Sequence, residues 1–123
     1  MPRTLKILVA EDVESNFLYL RAVLKKIKAS VLWAENGKEA INMVNKNPDI
    51  DLVLMDLLMP EINGFEAATA IKSSHPNIKI IAQTAFAMQD DRGKAILSGC
   101  DEYIAKPIHA NDLLSLIDEL MNN

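Results

Sequence analysis

The stretch Leu52-Val53-Leu54-Met55-Asp56-Leu57-Leu58-Met59-Pro60 carries an apolar run into a single carboxylate and then stops at a proline. The run shows no alternation of apolar and polar positions. That pattern marks a strand covered on both faces, and hence a parallel sheet between layers of helix. Open α/β sheets bind their ligands beyond the carboxyl ends of the strands, so Asp56 is delivered to a site. Three more apolar runs end on chemistry: Ile7-Leu8-Val9-Ala10 on Glu11 and Asp12, Ile78 to Ala82 on Thr84, and Tyr103-Ile104-Ala105 on Lys106.

Between these runs the apolar residues take a helical period, the pattern of a sheet flanked by helices. The first strand spans Lys6 to Ala10. After Ser15-Asn16 a stripe of Phe17, Leu20, Val23, Leu24 and Ile27 faces inward. Ser30 to Trp33 is a shorter strand nearer an edge. Asn36-Gly37 opens a helix with Ala40, Ile41 and Val44 inward, and Asn47-Pro48-Asp49 breaks it. Pro60 and Asn63-Gly64 turn the chain into a helix carrying Phe65, Ala68 and Ile71. A further helix is expected over Gln89 to Leu97, with Gly99 as the residue just past its end. Leu113, Leu116, Ile117 and Leu120 mark a closing amphipathic helix. The expectation is one α/β domain over residues 1–123, a doubly wound five-stranded parallel sheet flanked by five helices.

The 123 residues are half apolar and suffice for a single core. A net charge of −4 and a pI near 5.1 argue against direct nucleic-acid binding, which calls for a basic face. No apolar run reaches the ~20 residues of a membrane helix, and Met1-Pro2-Arg3-Thr4 opens no signal peptide, so a cytoplasmic location is expected. Cys100 is the single cysteine; it reads as a packed thiol and can form no internal disulfide. His75 and His109 read as exposed loop residues with no partner at metal-ligand spacing.

Acid pair, acid, hydroxyl and amine at four strand ends describe one site for a metal and a phosphoryl group. A hard divalent cation such as Mg²⁺ takes oxygen ligands, usually one or two carboxylates with phosphate oxygens and water. Asp12 and Asp56 can supply the carboxylates if the first and third strands are neighbours, and Glu11 can hold a metal-bound water. Lys106 offers a point charge, and the Thr84 hydroxyl a donor, to a phosphoryl oxygen. Taken singly, Asp56 could be a loop anchor, Glu11-Asp12 a helix-terminus pair, Thr84 a strand-end cap and Lys106 a solvated loop lysine. Those readings leave unexplained why three acids should converge with a lysine.

In their order along the chain, Glu11-Asp12, Asp56 with Met59-Pro60 and Gly64, Thr84-Ala85, and Tyr103-Ile104-Ala105-Lys106-Pro107 resemble the receiver domain of two-component response regulators, the CheY-like flavodoxin-type fold. Gln83-Thr84-Ala85 and Gly99-Cys100-Asp101-Glu102-Tyr103 are most similar to receivers of hybrid histidine kinases. The resemblance runs from about Leu5 to Leu120 and implies strand order 2-1-3-4-5. It makes Asp56 the phosphoacceptor, taking the group from a phosphohistidine. It implies that Asp12, Asp56 and the Leu58 main-chain carbonyl bind Mg²⁺ with Glu11 assisting, and that Thr84 and Lys106 contact the phosphoryl group. Thr84 and Tyr103 would form the switch, reshaping the helix over Gln89–Leu97, the last strand and the closing helix. A cis Lys106–Pro107 bond is also implied. The partner would be a sensor histidine kinase or histidine phosphotransfer domain docking near the first helix, with Phe17, Leu18 and the Pro107 loop as contacts. No nucleic acid, no membrane and no multiple-turnover substrate are expected, and the receiver would be a monomer or weak homodimer.

Two residues depart from common family usage. Leu58, two after Asp56, and Phe86, two after Thr84, are apolar where polar residues are common. They should shield an acyl phosphate from water and slow its loss. Leu58 also weighs against an aspartate-nucleophile phosphatase of the haloacid-dehalogenase type, which places a second Asp at that position. The third alternative is a receiver-like scaffold that is never phosphorylated; the intact set Glu11, Asp12, Asp56, Thr84 and Lys106 argues against it.

Overall fold

A computed structural model of the chain describes residues 4–59, 62–84, 93, 96 and 98–122. Strands β1 (Lys6–Ala10), β2 (Ser30–Ala34), β3 (Leu52–Asp56), β4 (Lys79–Thr84) and β5 (Glu102–Ala105) pair in parallel in the order β2-β1-β3-β4-β5. Four helices are described: α1 (Glu14–Lys25), α2 (Gly37–Lys46), α3 (Gly64–Ser74) and α4 (Ala110–Asn122). The helix expected over Gln89–Leu97 falls mostly outside the described residues; Gly93 and Ile96 within it are helical and exposed. From β1 the chain moves outward to β2 and then back across to β3. The direction of winding therefore reverses between β1 and β3, which puts the crevice at the ends that carry Glu11, Asp12 and Asp56.

The two-residue period of the strands divides the core in two. Leu8, Val53, Met55, Ile80 and Ala82 pack with Ala40 and Val44 of α2 and with Ala68 and Ile71 of α3. Ile7, Val9, Leu52, Leu54 and Ile81 face the other way, onto Phe17, Leu20 and Leu24 of α1 and Leu113 and Ile117 of α4. Every residue of β3 is buried, as its unbroken apolar run requires. Each fully buried Leu or Ile contributes about 1.5–3 kcal/mol of transfer free energy, so apolar burial is what chiefly holds the layers together.

Caps fix where α2 and α3 begin. The Asn36 side chain accepts from Glu39 N–H at 2.8 Å, and Asn63 accepts from Glu66 N–H at 3.0 Å. Gly64 then sits so close to β3 that a Cβ there would lie 2.3 Å from the Asp56 carbonyl oxygen. Only a residue without a side chain lets α3 start against the strand end that bears the carboxylate. Gly99 has φ +96, and its N–H bonds to the Ile96 carbonyl at 3.0 Å, in keeping with the expected helix end.

Two sequence expectations need correction. Ile27 is 39% exposed, because α1 ends at Lys25 and the chain turns through Lys28 with φ 58. His75 was expected to be exposed in a loop but is half-buried at the end of α3, where its Nε2 lies 2.9 Å from Asn45 Oδ1 of the neighbouring helix.

Candidate functional site

Register decides what meets at the crevice. Ala10 pairs with Met55 and Met55 with Ala82, so the acids after β1, Asp56 on β3 and Thr84 on β4 share one edge of the sheet. Ligand oxygens of Glu11, Asp12 and Asp56 lie within 4.8 Å of one another. Glu11 is fully buried and Asp56 is 3% exposed, whereas Asp12 is open to solvent. At an effective dielectric near 20, two carboxylates at about that spacing repel by roughly 3 kcal/mol.

Lys106 offsets part of that repulsion. Its Nζ donates to Asp56 Oδ2 at 2.9 Å and to Glu11 Oε1 at 3.3 Å. Its own N–H donates to the Thr84 carbonyl at 2.6 Å, which ties the end of β5 to the end of β4, and the Lys106–Pro107 bond is cis. Burial pulls the ammonium pKa down, but the hydrogen bond and charge of Asp56, with Glu11 behind it, outweigh burial, and the net shift is upward. Glu11 moves the opposite way from a stable anion. Its pKa is raised to about 7, by desolvation first and then by the charge and hydrogen bond of Asp56, with Lys106 and the Val13 N–H only partly opposing them.

When all four groups are ionised, three carboxylates face one ammonium, an excess of two negative charges in a half-buried cleft. The donors are all hard oxygens and two come from adjacent strands, so the cluster fits a small divalent cation. The other Asp56 oxygen is held too: Leu58 N–H donates to Oδ1 at 2.9 Å. Asp56 therefore presents its carboxylate in one fixed orientation.

The residues expected from the sequence largely converge. Thr84 is buried at the same edge, and Tyr103 is half-buried on β5. The Leu58 side chain is 59% exposed and so largely in solvent; Phe86 lies outside the described residues. Phe17 is corrected: it is buried, stacked on Trp33 with ring centroids 4.5 Å apart, and cannot be a docking contact. Leu18, at 41% exposure, and Pro107 are accessible. Trp33 was missed. Its indole N–H donates to the Glu11 main-chain carbonyl at 2.8 Å, and Glu11 N–H donates to the Ala34 carbonyl, so β2 anchors the first acid through both its N–H and its C=O. An aromatic on an edge strand gives no hint of that contact until the register is known.

A family model for the response regulator receiver domain matches residues 7–118. The chain belongs to this family. It is a signalling domain of two-component phosphorelays. The receiver is 39% identical over 121 residues to hybrid signal transduction histidine kinase I of Dictyostelium discoideum; the match covers 92% of this chain but only 7% of that much longer kinase. It superimposes with a TM-score of 0.88 on the receiver domain of Ssk1, solved in complex with the Saccharomyces cerevisiae histidine phosphotransfer signalling protein Ypd1, at 34% identity over 94% of this receiver and 88% of that chain. The receiver domain of the sensor histidine kinase PA1611 from Pseudomonas aeruginosa PAO1, with a magnesium ion coordinated in its active-site cleft, matches with a TM-score of 0.90 and 27% identity over 98% of this receiver and all of that chain (100%). Among the described residues no helix is long and apolar enough to cross a membrane.

Proposed function

We propose that this receiver, acting as one unit over residues 1–123, takes a phosphoryl group from a phosphohistidine onto Asp56. The observation that carries the reading is the Asp56 carboxylate, held through one oxygen by Leu58 N–H and through the other by Lys106 in a buried, acid-rich cleft. An Asp56 oxygen attacks phosphorus in line, the bond to the histidine nitrogen breaks with its electron pair staying on nitrogen, and an acyl phosphate results. Such transfers depend on positioning and charge neutralisation more than on covalent help from the protein. Asp12, Asp56 and the Leu58 main-chain carbonyl would hold Mg²⁺, with Glu11 steadying a bound water. The ion would supply charge neutralisation for the incoming phosphoryl oxygens. Lys106 already points at Asp56 and shifts its hydrogen bond to a phosphoryl oxygen, and the Thr84 hydroxyl donates to another.

Thr84 and Tyr103 form the switch in this reading. Phosphorylation draws Thr84 toward the new group, Tyr103 turns inward behind it, and the surface formed by β5, α4 and the Gln89–Leu97 segment changes. The donor is a sensor histidine kinase or a histidine phosphotransfer protein approaching the first helix and the residue before it, where Val13, Leu18 and Tyr19 are exposed. The Ssk1 complex with Ypd1 supports that class of partner. The test is phosphotransfer from a radiolabelled histidine phosphotransfer protein. Label should reach the chain, be lost in alkali as an acyl phosphate is, and fail to reach Asp56→Asn. Label that persists in Asp56→Asn would overturn the assignment.

A further inference from the structure

Glu11 and Asp12 enter the cleft from the two ends of one peptide bond, and the carbonyl of that bond accepts from the Trp33 indole N–H at 2.8 Å. A peptide unit is planar from one Cα to the next, so whatever holds the Glu11 oxygen also sets where the Asp12 Cα stands. Glu11 has further restraints. Its N–H donates to the Ala34 carbonyl at 2.9 Å, one carboxylate oxygen accepts from Val13 N–H at 3.2 Å, and the other accepts from Lys106. Asp12 differs. It is exposed, and among the described residues its carboxylate has no hydrogen bond and no ion pair. Its ligand oxygen nevertheless stands within 4.8 Å of those of Glu11 and Asp56. Mutual repulsion drives such a group outward, so its place in the cluster depends on the backbone that carries it.

The indole is itself held in orientation. Trp33 pairs with Val9 in the sheet, two residues before Glu11. Its ring stacks on Phe17 with 4.5 Å between centroids and 6° between planes. Phe17 is buried in α1, and the Arg21 guanidinium carbon lies 5.7 Å from the centroid of its ring. Any large apolar residue could fill this space on the edge strand; only an N–H at the far end of the ring reaches the loop that carries the acids. Groups that orient metal ligands from behind govern affinity alongside the ligands themselves.

Granted the metal reading of the cleft, we propose that Trp33 is a positioning residue for it: by holding the Glu11–Asp12 peptide, the indole N–H sets the affinity of the acid cluster for Mg²⁺. Two substitutions separate the hydrogen bond from the packing. Trp33→Phe keeps a ring against Phe17 and removes the donor. Trp33→His gives up part of the stack but returns an N–H where the indole had one. The experiment is a ¹H–¹⁵N correlation titration of the whole chain with magnesium chloride at fixed ionic strength, at about pH 8 so that the introduced histidine is neutral. Wild type should saturate, Trp33→Phe should raise the Kd roughly tenfold, and Trp33→His should raise it no more than about threefold. A tryptophan that only packs would give a different pattern, in which both variants melt lower and bind Mg²⁺ as wild type does. Equal Kd in Trp33→Phe and wild type, or equal weakening in the two variants, would overturn the positioning role and leave the metal site standing. No saturable shift in wild type up to about 50 mM Mg²⁺ would overturn the metal site and the role with it.

Discussion

Asp56 and the groups that touch it set the behaviour expected of single residues. Lys106→Met removes the one cation that, among the described residues, lies against both Asp56 and Glu11. Leaving two buried carboxylates facing each other should destabilise the metal-free protein by about 3–5 kcal/mol, read from urea unfolding; a loss under about 1 kcal/mol would mean the pair is already screened by solvent. Leu58 acts on a later event. It stands two residues past Asp56 and is 59% exposed, and if it shields the acyl phosphate as expected from the sequence, Leu58→Asn should admit water and shorten the lifetime of the phosphorylated form several-fold, followed after removal of the donor. An unchanged lifetime would assign no shielding to Leu58. Cys100 illustrates the opposite environment. Burial, with the Asp101 charge adding to it, pushes its thiol up to about 12, so the folded protein should resist iodoacetamide at mildly alkaline pH and react promptly once unfolded in urea. Unfolded chains lose that proton first, so this group withdraws stability as pH rises from its ordinary value of 9.0 toward 12.

At the scale of elements, the ends of strands and helices were the most legible part of the sequence, and contacts between elements were the least. The unbroken apolar runs located β1 and β3 to the residue, and Asn36 and Asn63 announced the helices they cap. Convergence of Glu11, Asp12, Asp56, Thr84 and Lys106 could be read because each closes an apolar run in a parallel sheet. Ile27 went wrong because periodicity does not show where a helix stops. Phe17 was read in two ways, on the apolar stripe of α1 and as a docking contact; its burial and its stacking on Trp33, which arrives from another element, uphold the first and overturn the second. The burial of Gln83 was hidden for a related reason: a polar residue inside a strand carries no sign of which layer it faces. Trp33 and Gly64 make the element-level prediction. The Trp33 indole bonds the Glu11 carbonyl, and Trp33 is the only tryptophan, so Mg²⁺ should change its fluorescence saturably. Gly64→Ala should cost more stability than Asn63→Ala, whose lost cap is worth about 1 kcal/mol, because the new methyl meets the Asp56 carbonyl oxygen. Equal losses for the two variants would mean that α3 can shift away from β3 at little cost.

Across the whole molecule, the fold brings like charges together at one end of the sheet and leaves a cation to complete them. Loading with Mg²⁺ should therefore raise the melting temperature, and Asp12→Ala should abolish most of that rise. The gain should follow the metal and not ionic strength, so an equal ionic strength of sodium chloride should not reproduce it. The central claim, however, is that this arrangement makes Asp56 a phosphoacceptor. Intact-mass spectrometry after incubation with acetyl phosphate and Mg²⁺ tests it most directly, run beside Asp56→Asn and an EDTA control. The account predicts one added phosphoryl group in the wild type and none in either control. An adduct that survives in Asp56→Asn, or no adduct from either acetyl phosphate or a phosphohistidine donor, would contradict it.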